Sequence, residues 1–161
     1  MAMLSIMEND EMRRAELLAE RAEVAPWLDY PANPWWYAPA GGAWFAALVA
    51  FSAQGSDRSP LPLSLLLVVA GAYFWWARRR WGTWPRLTSM PPEFLGPATA
   101  FVCAGVALFV GGLGLRASAG PAVAVPVVAV IAAVLLAWYD RAYARASRKT
   151  AARLGTESRV R

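Results

Sequence analysis

"AYFWWARRRWGTW", residues 72 to 84, runs from four adjacent aromatic side chains into three consecutive arginines, Arg78, Arg79 and Arg80. Three readings of that run compete: a nucleic-acid grip, a processing site and the edge of a membrane. What stands before it decides. "LPLSLLLVVAGAYFWWA", residues 61 to 77, carries no Asp, Glu, Lys or Arg. Tryptophan and tyrosine gather where hydrocarbon meets headgroups, and arginine gathers on the cytoplasmic side of that boundary. An apolar run, an aromatic belt and a cationic block, in that order, describe a helix leaving a bilayer. Three arginines next to a lipid interface are better explained by topology than by nucleic-acid binding. No nucleic-acid partner is expected.

Three further stretches share this character: residues 35–53, 94–115 and 121–139, none of them carrying a charged side chain. Each is about the length that crosses ~30 Å of hydrocarbon as a helix. Backbone in lipid must satisfy its own hydrogen bonds, so helix is the expected state. A soluble bundle would show a polar stripe along each helix, and these runs leave no face for water. The chain is 58% hydrophobic and only 17% charged, where ordinary globular domains are ~45–50% apolar. The sequence therefore predicts an all-α membrane protein with four transmembrane helices arranged as two hairpins. An N-terminal amphipathic cytoplasmic helix precedes them and a basic helical tail follows. Residues 1–34 are the acidic helix and a Pro/Trp-rich interfacial linker, 35–139 the bundle (35–53, 61–77, 94–115, 121–139) and 140–161 the tail.

Arginine and lysine counts set the orientation. The loop between the second and third runs holds Arg78, Arg79, Arg80 and Arg86, and the tail holds six more arginines and Lys149. The other two loops hold one arginine each, Arg58 and Arg116. Both termini are expected in the cytoplasm, with the chain in the plasma (inner) membrane. The acidic start of the chain does not resemble a signal peptide, so no cleaved leader is expected. Abundant alanine and an excess of arginine over lysine suggest a bacterial chain. Trp35, Trp36, Trp75, Trp76, Trp81, Trp84 and Trp138 are the candidate interfacial anchors. A weak tandem repeat is also visible: Pro39 lies 19 residues before Arg58, and Pro97 lies 19 before Arg116. Convergent membrane patterning is the competing explanation of that match.

Small residues recur four apart, and residues four apart share a helix face. Gly42, Ala46 and Ala50 form one such line, Cys103, Ala107 and Gly111 a second, and Ala129, Ala133 and Ala137 a third. Small side chains let helix backbones approach closely where lipid supplies no hydrophobic drive to associate. General alanine richness is the alternative source of these lines. The second run lacks one and is bulkier, which predicts a peripheral, lipid-facing helix. Cys103, the single cysteine, is expected to be a protonated packing residue, since hydrocarbon disfavours the thiolate.

Residues 8–25 suit a helix with Met12, Ala15, Ala19 and Ala22 on one side and Leu18 beside them. Residues 1–40 carry net charge −4, the central loop +3 and the tail +5. Charge attraction is therefore expected to lay the acidic helix on the basic loop and tail. The alternative is a solvated arm. The tail should continue the fourth helix, stop near Gly155 and lie along anionic lipid.

No catalytic set is recognisable. Histidine, the commonest general base, is absent. No carboxylate lies within an apolar run, so a proton-coupled or cation-coupled transporter would lack its usual group. No cofactor or metal is expected. Glu93 and Asp140, at the cytoplasmic ends of the third and fourth runs, join Arg78, Arg79, Arg80, Arg86 and Arg141 as a candidate cluster for lipid headgroups or a protein partner. Interfacial salt bridges are the plainer account of it. The leading expectation is a non-enzymatic membrane protein acting by helix packing, as a homo-oligomer or as an accessory subunit of a membrane complex. A small oligomeric transporter or channel is the alternative. A membrane enzyme on lipid or isoprenoid headgroups is the third.

Overall fold

The computed structural model describes residues 22–28, 33–52, 61–81 and 90–157, with five single positions between 12 and 19. Every regular element among the described residues is an α-helix. Helix α1 covers residues 22–28, with Met12, Ala15, Glu16, Leu18 and Ala19 also helical. Helices α2 (Tyr37–Ser52), α3 (Leu61–Trp81), α4 (Pro92–Ala119) and α5 (Pro121–Glu157) follow.

Three of these, α3, α4 and α5, are long and apolar enough to cross a membrane. Helix α2 has 16 residues and extends only ~24 Å at ~1.5 Å per residue. Helices α4 and α5 both outrun their apolar cores. Helix α4 begins where prolines permit it, with Pro91 extended just before and Pro92 in the first turn, a position whose missing N–H has no helical partner anyway. Helix α5 has 37 residues and is ~55 Å long. It continues through the basic tail without a break and passes Gly155, the expected stop, to end at Glu157.

One residue joins α4 to α5. Gly120 has φ +81°, a conformation that costs a side-chain-bearing residue dearly. Its N–H donates to the Arg116 carbonyl at 3.0 Å, and its own carbonyl accepts from Ala124 N–H at 3.1 Å. The turn therefore closes one helix and opens the next, and the two run antiparallel.

Helix α5 is the central element. Ala124, Val128 and Ala132 are buried along it, four residues apart. Helix α2 lies on one flank and also runs antiparallel to α5: Gly41 faces Leu136, Gly42 faces Ala129 and Ala133, and Val49 shares a cluster with Val128. Helix α4 closes the other side. Ala46, Val49 and Val128 form the middle of the core, lined by Phe45, Leu108, Phe109 and Leu113. Phe45 and Phe109 meet edge to face at 6.4 Å, the arrangement that ring quadrupoles favour. At the far end the Arg116 guanidinium donates to the Val49 carbonyl at 3.5 Å, close to the carboxyl end of α2, where a cation complements the helix dipole.

Helix α3 stands outside this trio. Leu65, Leu67, Val68, Val69, Phe74 and Trp75 are all more than half exposed. Trp44 Nε1 ties it to α2 by donating to the Leu66 carbonyl at 3.3 Å.

Candidate functional site

The small-residue lines fall in two different environments. At the α2–α5 seam, a Cβ added to Gly42 would run into the Ala129 carbonyl oxygen and lie 2.9 Å from Ala133 Cβ. Ala46 is 2% exposed there, and Ala50 and Ala137 are half-buried. Gly42, Ala46, Ala129 and Ala133 thus lie in one close helix contact. The line on α4 points the other way. Cys103, Ala107 and Gly111 are exposed, and a Cβ on Gly111 would meet nothing within 4 Å. The thiol of Cys103 is on the outer surface of the bundle. Gly112, one residue on, is what α4 turns inward: a Cβ there would meet Val128 at 2.9 Å and Val49 at 3.2 Å. No four-residue line of small residues marked Gly112. Its signal was subtler, a Gly-Gly pair in an apolar helix, where glycine is disfavoured unless packing uses it.

The charged cluster is dispersed. Glu93 pairs with Arg153, Oε1 to Nε at 3.0 Å. Asp140 accepts a hydrogen bond from Asn33 Nδ2 at 2.8 Å. Arg78, Arg79 and Arg80 are exposed in the last turn of α3. Arg79 lies over the Trp75 ring at 4.6 Å and Arg80 over the Trp76 ring at 5.7 Å. Arg79 and Arg80 thus each cover the tryptophan four residues before them in a cation–π contact. Arg141 is exposed on α5. Trp35, Trp36 and Trp138 are exposed as well. Arg86 and Trp84 lie outside the described residues, as does the side chain of Trp81.

The basic end holds a contact that sequence reasoning missed. Trp27, 5% exposed, packs on Phe94 and Ala146, with Met90 and Tyr143 around it. The Trp27 and Phe94 rings are 5.2 Å apart, and Phe94 and Tyr143 are 4.8 Å apart. Tyr143 Oη donates to the Trp27 carbonyl at 2.8 Å. The aromatic chain continues through Tyr139, 6.3 Å from Tyr143, to Phe101, 4.5 Å from Tyr139. The N-terminal helix therefore meets the tail through an aromatic anchor; the charge attraction expected between residues 8–25 and the basic loop and tail falls largely on residues outside those described. Val24 and Trp27, three residues apart and both buried, were the available signal, but the expected helix stopped at residue 25 and left Trp27 in a linker. On α5 the docked face continues as Ala142, Ala146, Thr150 and Leu154, all buried at four-residue spacing. Thr150 Oγ1 is satisfied within the helix by the Ala146 carbonyl at 3.1 Å.

No family model, no curated protein and no solved structure matches this chain.

Proposed function

We propose that the chain is a small four-span inner-membrane protein that acts by helix packing, as a homo-oligomer or as an accessory subunit of a membrane complex, without chemistry of its own. Helix α2 counts as the fourth span because Gly41 to Val49 lie alongside Leu136 to Val128 of α5, and so at the same depth. The excess of Arg and Lys around α3–α4 and after α5 puts both termini in the cytoplasm. Arg79 and Arg80, held over Trp75 and Trp76, suit the anionic headgroup layer on that side.

One observation carries the packing role: α4 keeps glycine where no described residue of its own chain packs against it. Gly96, Gly111 and Gly114 are exposed, with nothing within 4 Å of an added Cβ. Glycine in a helix interior costs ~1 kcal/mol relative to alanine. In lipid, that cost is offset when a second helix uses the resulting groove. Cys103 and Ala107 lie on the same exposed side.

The lone thiol tests this directly. In native membranes, mild oxidation or a short bis-maleimide should join Cys103 to another chain, and Cys103→Ala should abolish the product. A product of twice the chain mass identifies a homo-oligomer. A heavier product identifies a different subunit. A monomer in gentle detergent and in lipid discs, with Cys103 uncoupled in membranes, would defeat the reading.

A further inference from the structure

The cytoplasmic extension of α5 has two unlike sides. One is the buried line Ala142, Ala146, Thr150 and Leu154, against which the chain's own Trp27 is anchored. The other bears Arg141, Arg145, Arg148 and Lys149, all exposed. At 3.6 residues per turn these four cations fall within about 100° of one another, on the side away from the buried line. Arg145 Nε donates to the Arg141 carbonyl at 3.2 Å, which holds that guanidinium along the helix. No ion pair engages these four among the described residues.

Lipid does not account for the whole stripe. Helix α5 is unbroken from Pro121 to Glu157, so its tail continues the line of the span and does not turn to lie on the bilayer. Arg148 and Lys149 stand about 14 Å beyond Tyr139 along the axis, and the headgroup layer reaches roughly 5–8 Å past the hydrocarbon. Arg141 lies within that layer, while the outer half of the stripe lies beyond it, where salt weakens the pull of lipid.

The complementary surface is on the same polypeptide. Residues 1–40 carry net charge −4 against +5 in the tail. Glu16 and Glu23 are helical and exposed, two turns apart, and Arg141 and Arg148 have that same seven-residue spacing. The anchor at Trp27 seats α1 of the same chain against Ala146 and Phe94, and among the described residues neither Glu16 nor Glu23 forms an ion pair with the stripe of its own chain. A second copy has no such constraint. We infer that α1 of one copy docks its exposed acidic flank on the Arg141–Arg145–Arg148–Lys149 stripe of α5 in a neighbouring copy. This rests on the homo-oligomer reading above. The two patches differ, so the contact closes either by reciprocal exchange in a two-fold dimer or head to tail around a ring. Exposed ion pairs are individually weak, so the contact forms between chains already brought together by their spans and is salt-sensitive.

Lys149 is the single lysine of the chain, which makes the test specific. Isotopically heavy and light full-length chains are mixed in zwitterionic lipid discs and treated with a zero-length carbodiimide. The expected product is a heavy–light peptide pair joining Lys149 to Glu16 or Glu23, suppressed by high salt. Arg145→Glu/Arg148→Glu should raise the concentration for half-dissociation about tenfold, and adding Glu16→Arg/Glu23→Arg to the same chain should restore it. If wild-type chains are oligomeric yet Lys149 couples only within a chain, or the charge reversal leaves the oligomer unchanged, the inference is overturned and the homo-oligomer reading stands. A monomeric wild type overturns both. Dissociation by the charge reversal that anionic lipid mimics and the swap fails to rescue assigns the stripe to lipid, and also overturns it.

Discussion

Gly111 and Gly112 are neighbours on α4 and inhabit different worlds. Gly112 is buried between Val128 and Val49, while Gly111 faces outward with open space where a side chain would be. The same residue type, one position apart, closes the bundle on one side and leaves a groove on the other. The comparison teaches that small residues in a membrane helix mark a place for a neighbour without saying whose helix the neighbour is. Within this chain α5 takes the inner face of α4. The outer face is available to something else.

The sharpest way to break that distinction is at the inner seams. Gly42→Leu should be the most damaging substitution, because its first added carbon already collides with the Ala129 backbone. Backbone cannot yield as a side-chain tip can, so the cost should reach the upper end of the ~1–3 kcal/mol of overpacking or exceed it. Thermal unfolding of the purified chain, followed by loss of its monodisperse elution, should show a strongly lowered midpoint. Next in size is the paired substitution. Gly112→Leu should destabilise by ~2 kcal/mol, through Val128 and Val49. Gly111→Leu should leave unfolding unchanged or slightly raised, since helix propensity improves by up to ~1 kcal/mol. Only the association measured by Cys103 coupling should fall. Equal effects on unfolding from the two glycines would remove the distinction between the faces.

How much of this was legible beforehand follows from where physics acts locally. The helices on 61–77, 94–115 and 121–139 were legible because lipid leaves an uncharged run of that length no other state. The exposed position of α3 was legible from its bulk. Which face of α4 turns inward was not, because α4 is apolar all round and no polar stripe orients it. Its inward register depends on Val49 and Val128, residues on two other helices. At the basic end the aromatic anchor was not legible, because Trp27 meets Phe94 and Ala146, residues distant in sequence; most of the acidic residues expected to dock by charge lie outside the described residues. Glu93 does lie in the first turn of α4, whereas Asp140 lies well inside the unbroken α5; their partners, Arg153 and Asn33, lie 60 and 107 residues away in sequence and could not be chosen by spacing.

A second comparison, between the buried helix seams and the aromatic anchor, orders the smaller effects. Trp27→Ala removes the ring that meets Phe94 and Tyr143. A large aromatic lost from a packed site costs ~3–5 kcal/mol, but here the loss is confined to the docking of α1. The outcome to look for is protease cleavage before residue 28 with the unfolding midpoint of the bundle nearly unchanged. Tyr143→Phe keeps the ring and deletes the bond to the Trp27 carbonyl. It should weaken the same protection by ~1 kcal/mol.

The smallest effect belongs to the ion pair beside that anchor. Glu93 and Arg153 meet at 3.0 Å with side chains 18% and 37% exposed. A pair with one member this open to water gains modest Coulomb energy, shares it with solvent and is screened by salt, so it contributes no more than ~1 kcal/mol. Glu93→Gln keeps the shape and removes the charge. It should lower protection of the N-terminal segment by less than Tyr143→Phe does, and 0.5 M salt should shrink the difference from wild type, since the Debye length falls to a few ångströms. Phe94, the residue after Glu93, is 2% exposed and should keep the aromatic contact intact in the variant. An effect as large as that of Trp27→Ala would mean that charge, and not the buried rings, holds α1 against α5.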